Sequence, residues 1–471
     1  MDIKEVQKIA ENLFLAETGQ DLDHLQKVIL AGTLQGKTYP EIAKDNGFSE
    51  SHVKNVGHNL WHILSSSLGE KVTKTSFGSI LKSLINNNFS SAIISGTGHN
   101  FTINHVNICP PKARSPNSYE SSIKQPQIHL DNAPEILKFY NRTDELFTLE
   151  TWIIDGQYRL IGLFGISGMG KTALSLQLIS QIKQSFDYII YRSLQFSPQL
   201  ENTLTDLLKI FSETETFDRL ETQLRQLIQY LQQYRCLIIL DDVQMLFRPQ
   251  KLAGDYHSHC IDYQLFWQQI ASTHHQSCLL FCSSEKPREI AQLEKQGNSV
   301  KSLILEGLGE ASHNILSDQK LTDIEHWETL VNLYEGNPFW LELTASMIQE
   351  LFAGKVKNLL QYDSIMLSDL LQSHLTQTFE RLTVSEQKLM RFLAQQNQPL
   401  TLSEILVGAG SKQSLLPTEN LNKPAPTLSP ADVSLTIQSL IKRFLLLTLI
   451  KNEIPYFEIN QVFKHYWKNH D

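Results

Sequence analysis

The chain has 471 residues, 41% of them apolar and 19% charged, and a formal net charge of −9. At roughly 100–200 residues per domain this length needs several cores, and the composition excludes a chain disordered throughout. The negative balance argues against a surface that coats nucleic acid or anionic lipid as a whole. No apolar run approaches the ~18 residues of a membrane helix, and five cysteines without a CxxC pair fit a reducing cytoplasm.

Residues 1–90 predict short helices, with Val6, Ile9 and Leu13, then Val53, Val56, Leu60 and Ile63, at helical spacing. The opening stretch mixes acids with lysines and is no secretory signal. Within it, 39–54 reads as a helix-turn-helix. Ala43 is small where two helices cross, Gly47 supplies the turn, Ser49 caps the second helix and Val53 packs back on the first. Residues 91–133 gather Ser, Asn and Pro, including Pro110, Pro111, Pro116 and Pro126, and predict a flexible linker.

Across 134–308, short apolar runs at 160–164, 188–191, 236–240, 278–282 and 303–305 alternate with amphipathic helical stretches. That order predicts a parallel sheet covered on both faces. Residues 309–362 predict a helical subdomain, with Trp327, Leu330, Leu333, Trp340 and Leu341 in its core. Residues 363–471 predict helices, two strand-like runs at 444–450 and 455–459, and a last helix, the pattern of a winged helix. The Pro-rich stretch 411–430 predicts a flexible insertion. The fold expected is multidomain, a P-loop α/β domain followed by a helical subdomain and a winged helix, preceded by a small all-α domain.

The strongest signal is Gly165-Ile166-Ser167-Gly168-Met169-Gly170-Lys171-Thr172, a full GxxxxGK[ST] between an apolar strand and a helix-forming stretch that opens at Ala173. Glycines let backbone N–H groups approach phosphate oxygens, and the helix N-terminus adds positive potential there. Lys171 is expected to reach the β- and γ-phosphates and Thr172 to ligate Mg²⁺. The run Cys236-Leu237-Ile238-Ile239-Leu240-Asp241-Asp242 has the form of a Walker B strand. Asp241 is the expected Mg²⁺ holder, and Asp242 the group that positions or deprotonates the attacking water.

These segments, with others around them, resemble the NB-ARC type of STAND NTPases in its bacterial form. Phe139-Tyr140-Asn141-Arg142-Thr143-Asp144-Glu145-Leu146 resembles that family's F-Y-G-R-x-x-E-L segment, which lies near the base and phosphates. Phe186-Asp187-Tyr188-Ile189-Ile190-Tyr191-Arg192-Ser193 resembles its second-strand motif, and Gly336-Asn337-Pro338 its G-L-P-L element, whose proline packs on adenine. The resemblance spans roughly 134–471. It implies a site for ADP or ATP built from Arg142, Gly165, Ser167, Gly168, Met169, Gly170, Lys171, Thr172, Ala173 and Pro338. Two departures stand out. Ser284 occupies the place of the arginine that senses the γ-phosphate, with Arg288 four residues on. In Ile459-Asn460-Gln461, Asn460 stands where the family's histidine contacts the β-phosphate of ADP; it can donate a hydrogen bond but carries no charge. Both departures weigh toward binding and slow turnover rather than fast hydrolysis.

The amino-terminal segment, with Leu60-Trp61-His62-Ile63-Leu64-Ser65 and the stretch 68–74, is similar to the helix-turn-helix of cyanobacterial proteins associated with vWA–MoxR ternary systems. Lys54, Lys71, Lys74 and Lys82 against Glu70 favour phosphate contact. Yet no arginine precedes Arg114, and arginine is the commonest reader of guanine. Lys54, Asn55, His58 and Asn59 are the residues that could face a groove. Protein docking is favoured over DNA.

A zinc site among His257, His259, Cys260, His274, His275, Cys278 and Cys282 lacks ligand spacing, and Cys278 and Cys282 read as buried strand residues. The expected function is a nucleotide-controlled switch in signalling or defence. ADP holds it closed, and ATP–Mg²⁺ favours an open, self-associating form that exposes the amino-terminal domain to a protein partner. An ATP-gated DNA-binding regulator is the alternative. An AAA-type motor is disfavoured because no arginine finger is assignable. Relatives continue into a repeat domain that senses a trigger, whereas this sequence ends at Asp471 directly after the predicted winged helix.

Overall fold

The computed structural model describes residues 125–469, apart from 213–218, 297–298, 363–364 and 411–428, together with scattered positions between 10 and 77. It divides into two compact units, Met1–Ser122 and Ile123–Asp471.

In the first unit, helices α1 (His24–Leu34) and α2 (Tyr39–Asn46) are described. Ile42 and Ala43 on α2 share one apolar cluster with Val53, Leu60, Trp61, Leu64 and Phe77. The Trp61 indole donates to the Tyr39 hydroxyl at 2.8 Å, which satisfies a polar tip at the cluster's edge. Ala43 and Val53 thus belong to one core, as a helix-turn-helix requires. Gly47, Ser49, Asn55, His58 and Asn59 lie outside the described residues, as do the linker up to position 124 and the predicted insertion over 411–428.

The second unit opens with strand β1 (Gln127–His129), then α3 (Thr143–Glu150), β2 (Leu160–Phe164), α4 (Lys171–Ile182), β3 (Tyr188–Ser193), α5 (Leu200–Phe211) and α6 (Leu220–Gln233). It continues through β4 (Cys236–Asp241), α7 (Tyr263–Ser272), β5 (Cys278–Ser283), α8 (Arg288–Lys295) and β6 (Val300–Ile304). The six strands form one sheet in the order β1-β3-β4-β5-β2-β6, and every pairing is parallel. Alternation along each strand feeds two cores. Ile161, Leu163, Ile239, Leu280 and Cys282 face one side, while Leu160, Phe164, Ile238, Leu240 and Phe281 face the other, under α5 to α8.

Two boundaries differ from expectation. The predicted linker ends early, because Gln127–His129 pairs with Tyr188–Ile190 as an edge strand. Its three side chains are exposed or half-exposed, so it carries no apolar pattern to read. The sixth strand starts at Val300 rather than 303, since an edge position tolerates the half-buried polar pair Lys301 and Ser302.

Helices α9 (Ser312–Asp318), α10 (Trp327–Leu333), α11 (Pro338–Phe352) and α12 (Val356–Leu360) follow. Then come α13 (Asp369–Glu380), α14 (Val384–Ala394), β7 (Leu400–Thr401), α15 (Leu402–Gly410), α16 (Pro430–Lys442), β8 (Leu447–Lys451), β9 (Ile454–Glu458) and α17 (Gln461–Asn469). The last three strands form an antiparallel sheet in the order β7-β9-β8. The predicted run from 444 begins as strand only at Leu447. Phe444 has φ +60° and stacks on Phe164 at the end of β2, 5.6 Å between ring centroids. One apolar core therefore runs without a break from the sheet through Trp327, Trp340 and Leu341 to Phe463 and Trp467.

A buried ion network ties these helices to the sheet. Glu386 closes a capping box with Thr383 at the start of α14, and its other oxygen accepts from Ser439 at 2.6 Å and from Arg443 Nε at 3.1 Å. The same guanidinium pairs with Glu285, just beyond β5, and donates to the Lys251 carbonyl at 2.6 Å. Glu285, Glu386 and Arg443 are all at most 5% exposed. Removing this cation leaves two buried carboxylates with only Arg381, 3.9 Å from Glu285, to offset them. Arg443→Met should lower stability by about 3–5 kcal/mol, seen as a depressed calorimetric melting transition relative to the surface control Arg225→Met.

Candidate functional site

The carboxyl ends of β2, β5 and β4 lie side by side, the place where open parallel sheets bind ligands. The phosphate loop springs from β2. Gly168 and Gly170 hold φ of +87° and +89°, values that L side chains rarely adopt. A Cβ on Gly168 would meet Asn337 Oδ1 at 2.7 Å. One on Gly170 would meet nothing within 4 Å, so that glycine faces open space at the first turn of α4. The resulting cavity, about 480 Å³, is lined by Ser167, Gly168, Gly170, Lys171, Thr172 and Ala173 on the loop side. Lys171 Nζ donates to the carbonyls of Gly165 at 2.9 Å and Ile166 at 3.0 Å, and burial lowers its pKa.

Opposite stand the acids of β4. Asp241 Oδ2 accepts from the Thr172 hydroxyl at 2.6 Å and from the Tyr191 hydroxyl at 3.0 Å, while Oδ1 accepts from the Asp242 amide at 2.8 Å. Burial pushes the Asp241 carboxyl up, the neighbouring Asp242 pushes it further, and these hydrogen bonds pull against both. Asp242 has φ +59°, and its carboxylate accepts from Ser193 Oγ at 2.9 Å and Gln244 Nε2 at 3.0 Å. Hard oxygens from Thr172 and Asp241, adjoining a cavity open to phosphate and water, fit Mg²⁺, which takes one or two protein oxygens and keeps the rest for ligand and solvent. A cation there would offset the charge that burial disfavours on Asp241, and when bound it neutralises phosphate charge.

Three side chains from outside the sheet reach the loop. Arg142, itself at φ +72°, donates to the Met169 carbonyl at 3.1 Å and pairs with Glu145 at 2.7 Å. Asn337 is fully buried. Its Oδ1 caps α11 by accepting from Trp340 N, and its Nδ2 donates to the Ser167 carbonyl at 3.1 Å. His374 on α13 lines the cavity with its ring 5.0 Å from Phe339. Burial lowers its pKa, and the nearby Lys171 charge lowers it further.

Of the predicted residues, Ser167, Gly168, Gly170, Lys171, Thr172, Ala173, Asp241 and Asp242 are brought together around one cavity. Gly165 and Met169 take part through their carbonyls, which accept from Lys171 Nζ and from the Arg142 guanidinium respectively. Pro338 is the first residue of α11, and its neighbour Phe339 lines the cavity instead. Asn460 is not among the lining residues. Its Oδ1 accepts from Phe463 N at 2.8 Å as a helix cap, and its side chain bonds Glu335. Arg288 does not reach the cavity either. It donates to the Ala253 carbonyl and lies 3.8 Å from Asp255. Among the described residues, no group of three His, Cys, Asp or Glu side chains is placed to hold a metal, and no helix is long and apolar enough to cross a membrane.

Sequence reasoning missed Gln244, His374 and the role of Asn337. His374, Gln377, Thr378 and Arg381 form a stripe at i, i+3, i+4 and i+7 on α13, and a polar stripe on one helix face was the available signal. Gln244 sits two residues beyond the second acid, a polar residue between Val243 and Met245.

Comparison with known proteins agrees with this geometry. Residues 1–84 match the vWA-MoxR associated protein N-terminal HTH family, and residues 139–338 match an ATPase domain found predominantly in Archaea. The chain therefore carries a P-loop ATPase-type domain and an N-terminal helix-turn-helix domain. Over 300 residues it is 36% identical to an uncharacterized WD repeat-containing protein of Nostoc sp., a match covering 60% of this chain and 24% of that protein. The chain thus spans about a quarter of that relative's length. Among solved structures it is similar to a STAND protein with a tetratricopeptide repeat sensor from Pyrococcus horikoshii. That likeness has 16% identity and TM-score 0.33, over 72% of this chain and 44% of the other. It is also similar to a Walker-type ATPase of Pyrococcus abyssi, with 13% identity and TM-score 0.47, over 73% and 98%.

Glu335, in the turn before α11, accepts from Gln461 N at 3.2 Å, and burial pushes its carboxyl up to about 7. The folded value lies above the unfolded 4.5, so between them the folded state holds the extra proton. Stability should therefore fall as pH rises from about 4.5 to about 7 and level off above, by on the order of 2 kcal/mol once partial solvent screening is allowed for. Glu335→Gln should flatten this slope in urea titrations across that range; an unchanged slope would assign it to another group.

Proposed function

We propose that this chain is an adenine-nucleotide switch of the STAND type, with an NB-ARC-like arrangement in which 309–362 acts as the helical subdomain and 363–471 as a winged helix. The observation that carries the reading is that three successive segments wall one phosphate cavity. The loop and acids come from the sheet, Phe339 from the helical segment, where Asn337 also holds the Ser167 carbonyl, and His374 from the segment after it. A ligand held there touches all three, so ligands that differ in phosphate number differ in how well they hold the segments together. ADP favours the closed arrangement. ATP with Mg²⁺ on Thr172 and Asp241 favours an open form that self-associates and releases the amino-terminal domain to a protein partner in signalling or defence.

Hydrolysis, in this reading, is slow and serves as a timer. Asp242 is the residue that orients the attacking water, fixed between Ser193 and Gln244. No arginine reaches the terminal phosphate from position 284. The trigger is read by a repeat module, the kind that gives the Nostoc relative its name.

Nucleotide released by denaturing the purified protein should be ADP at about one per chain and absent from Lys171→Ala, where the loop loses its cation. Nucleotide missing from both proteins, with no shift in melting temperature at millimolar ADP, would sink the switch reading.

The helix-turn-helix match supports a second reading, an ATP-gated DNA-binding regulator. On that reading duplex DNA binding should weaken steeply with salt, with log K falling about 0.9 per phosphate contacted. Binding that is absent at 50 mM salt by fluorescence anisotropy would leave protein docking as the role of residues 1–84.

A further inference from the structure

We infer that Gln244 is the residue by which this site tells a nucleoside triphosphate from a diphosphate. The inference deepens the switch reading and rests on it. Gln244 lies on the tight turn Val243–Leu246 directly after the two acids. Its amide nitrogen donates to Asp242 Oδ1 at 3.0 Å, and its amide oxygen accepts from the Ser284 backbone N–H at 3.2 Å. It therefore bridges the end of β4 and the residue after β5, and it lines the phosphate cavity beside Asp242 and Ser284.

The donors near the glycine loop serve any phosphate chain. Lys171 and the first turn of α4 are within reach of a diphosphate and a triphosphate alike. Gln244 stands with Asp242, at the acid side of the cavity, where only a third phosphate arrives. Ser284 brings no long donor to that side, and its backbone N–H is already given to Gln244. The amide Nε2 carries a second N–H, suited to a phosphate oxygen.

The same turn is wired to α13. The Gln244 carbonyl accepts from Arg381 at 2.7 Å, and the Phe247 carbonyl accepts from the same guanidinium at 3.2 Å. Ser167, Gln244, Ser284 and His374 also line a second cavity of about 230 Å³, whose far wall includes Glu285, Arg381 and Arg443. A shift of the Gln244 turn on meeting a third phosphate is thus transmitted to α13, the helix that carries both His374 and Arg381.

The test is calorimetric titration of the full chain, in Mg²⁺, with ADP and with a non-hydrolysable ATP analogue. Wild type, Gln244→Ala and the near-isosteric Gln244→Glu are compared. Gln244→Ala should weaken the triphosphate analogue by about tenfold or more, the loss of one hydrogen bond to a charged group, and leave ADP within about twofold. Gln244→Glu should weaken the triphosphate at least as much, because it sets a carboxylate against phosphate, with ADP again unchanged. Equal weakening of both nucleotides would make Gln244 a prop for Asp242 and overturn the inference, as would an unchanged triphosphate affinity in either variant. A wild type that binds neither nucleotide overturns the switch reading itself.

Discussion

A buried carboxylate organises this molecule. Asp241 is 4% exposed at the end of a central strand, where an ionised oxygen without partners would be costly. Its partners come from three places, the Thr172 hydroxyl on α4, the Tyr191 hydroxyl on β3 and the backbone of Asp242. In the sheet, β5 lies between β4 and β2, so the Thr172 bond reaches across an intervening strand to fasten the phosphate loop to the acids. The loop, strand β3 and the turn after β4 are thereby held in one register around a single charge. A divalent cation would strengthen that grouping rather than create it.

From this centre the wiring runs outward along side chains that each do two jobs. Asn337 caps α11 with its oxygen and holds the Ser167 carbonyl with its nitrogen. Glu386 closes a capping box and anchors Arg443. Arg381 clamps the Gln244 and Phe247 carbonyls from α13. Asn337 and Arg381 bond the sheet domain directly, and Glu386 is linked to it through Arg443, which pairs with Glu285. Local helix stability and the docking of that helix are then one quantity.

How much of this was legible in the sequence depended on what each feature demands of its residues. The phosphate loop and the acid pair were legible because only glycines, a lysine, a hydroxyl and carboxylates at fixed spacing can do that chemistry. Strands β2 to β5 were legible because burial on both faces makes them largely apolar runs, whereas edge strand β6 was legible only over Leu303 and Ile304. Strand β1 was not, since three half-exposed residues pairing at an edge leave no pattern. Asn460 was assigned to the phosphate by resemblance, whereas the chain uses it to cap α17 beside Glu335. Gln244 and His374 were missed because their importance comes from tertiary approach, His374 from a helix far along the chain. The polar stripe marks one face of α13, and only the tertiary fold shows that this face meets the cavity.

The uninterrupted apolar core between sheet and carboxyl-terminal helices has a thermal consequence. Phe444 stacked on Phe164, and Trp340 against Phe463, are contacts across segments that any separation would expose to water. Exposing such surface raises the heat capacity, so the free energy of separation is a curved function of temperature with a maximum near ambient conditions. Cooling as well as heating would loosen the assembly. A module boundary made of salt bridges alone would lack that curvature. This one builds into the chain a temperature window within which its parts stay together.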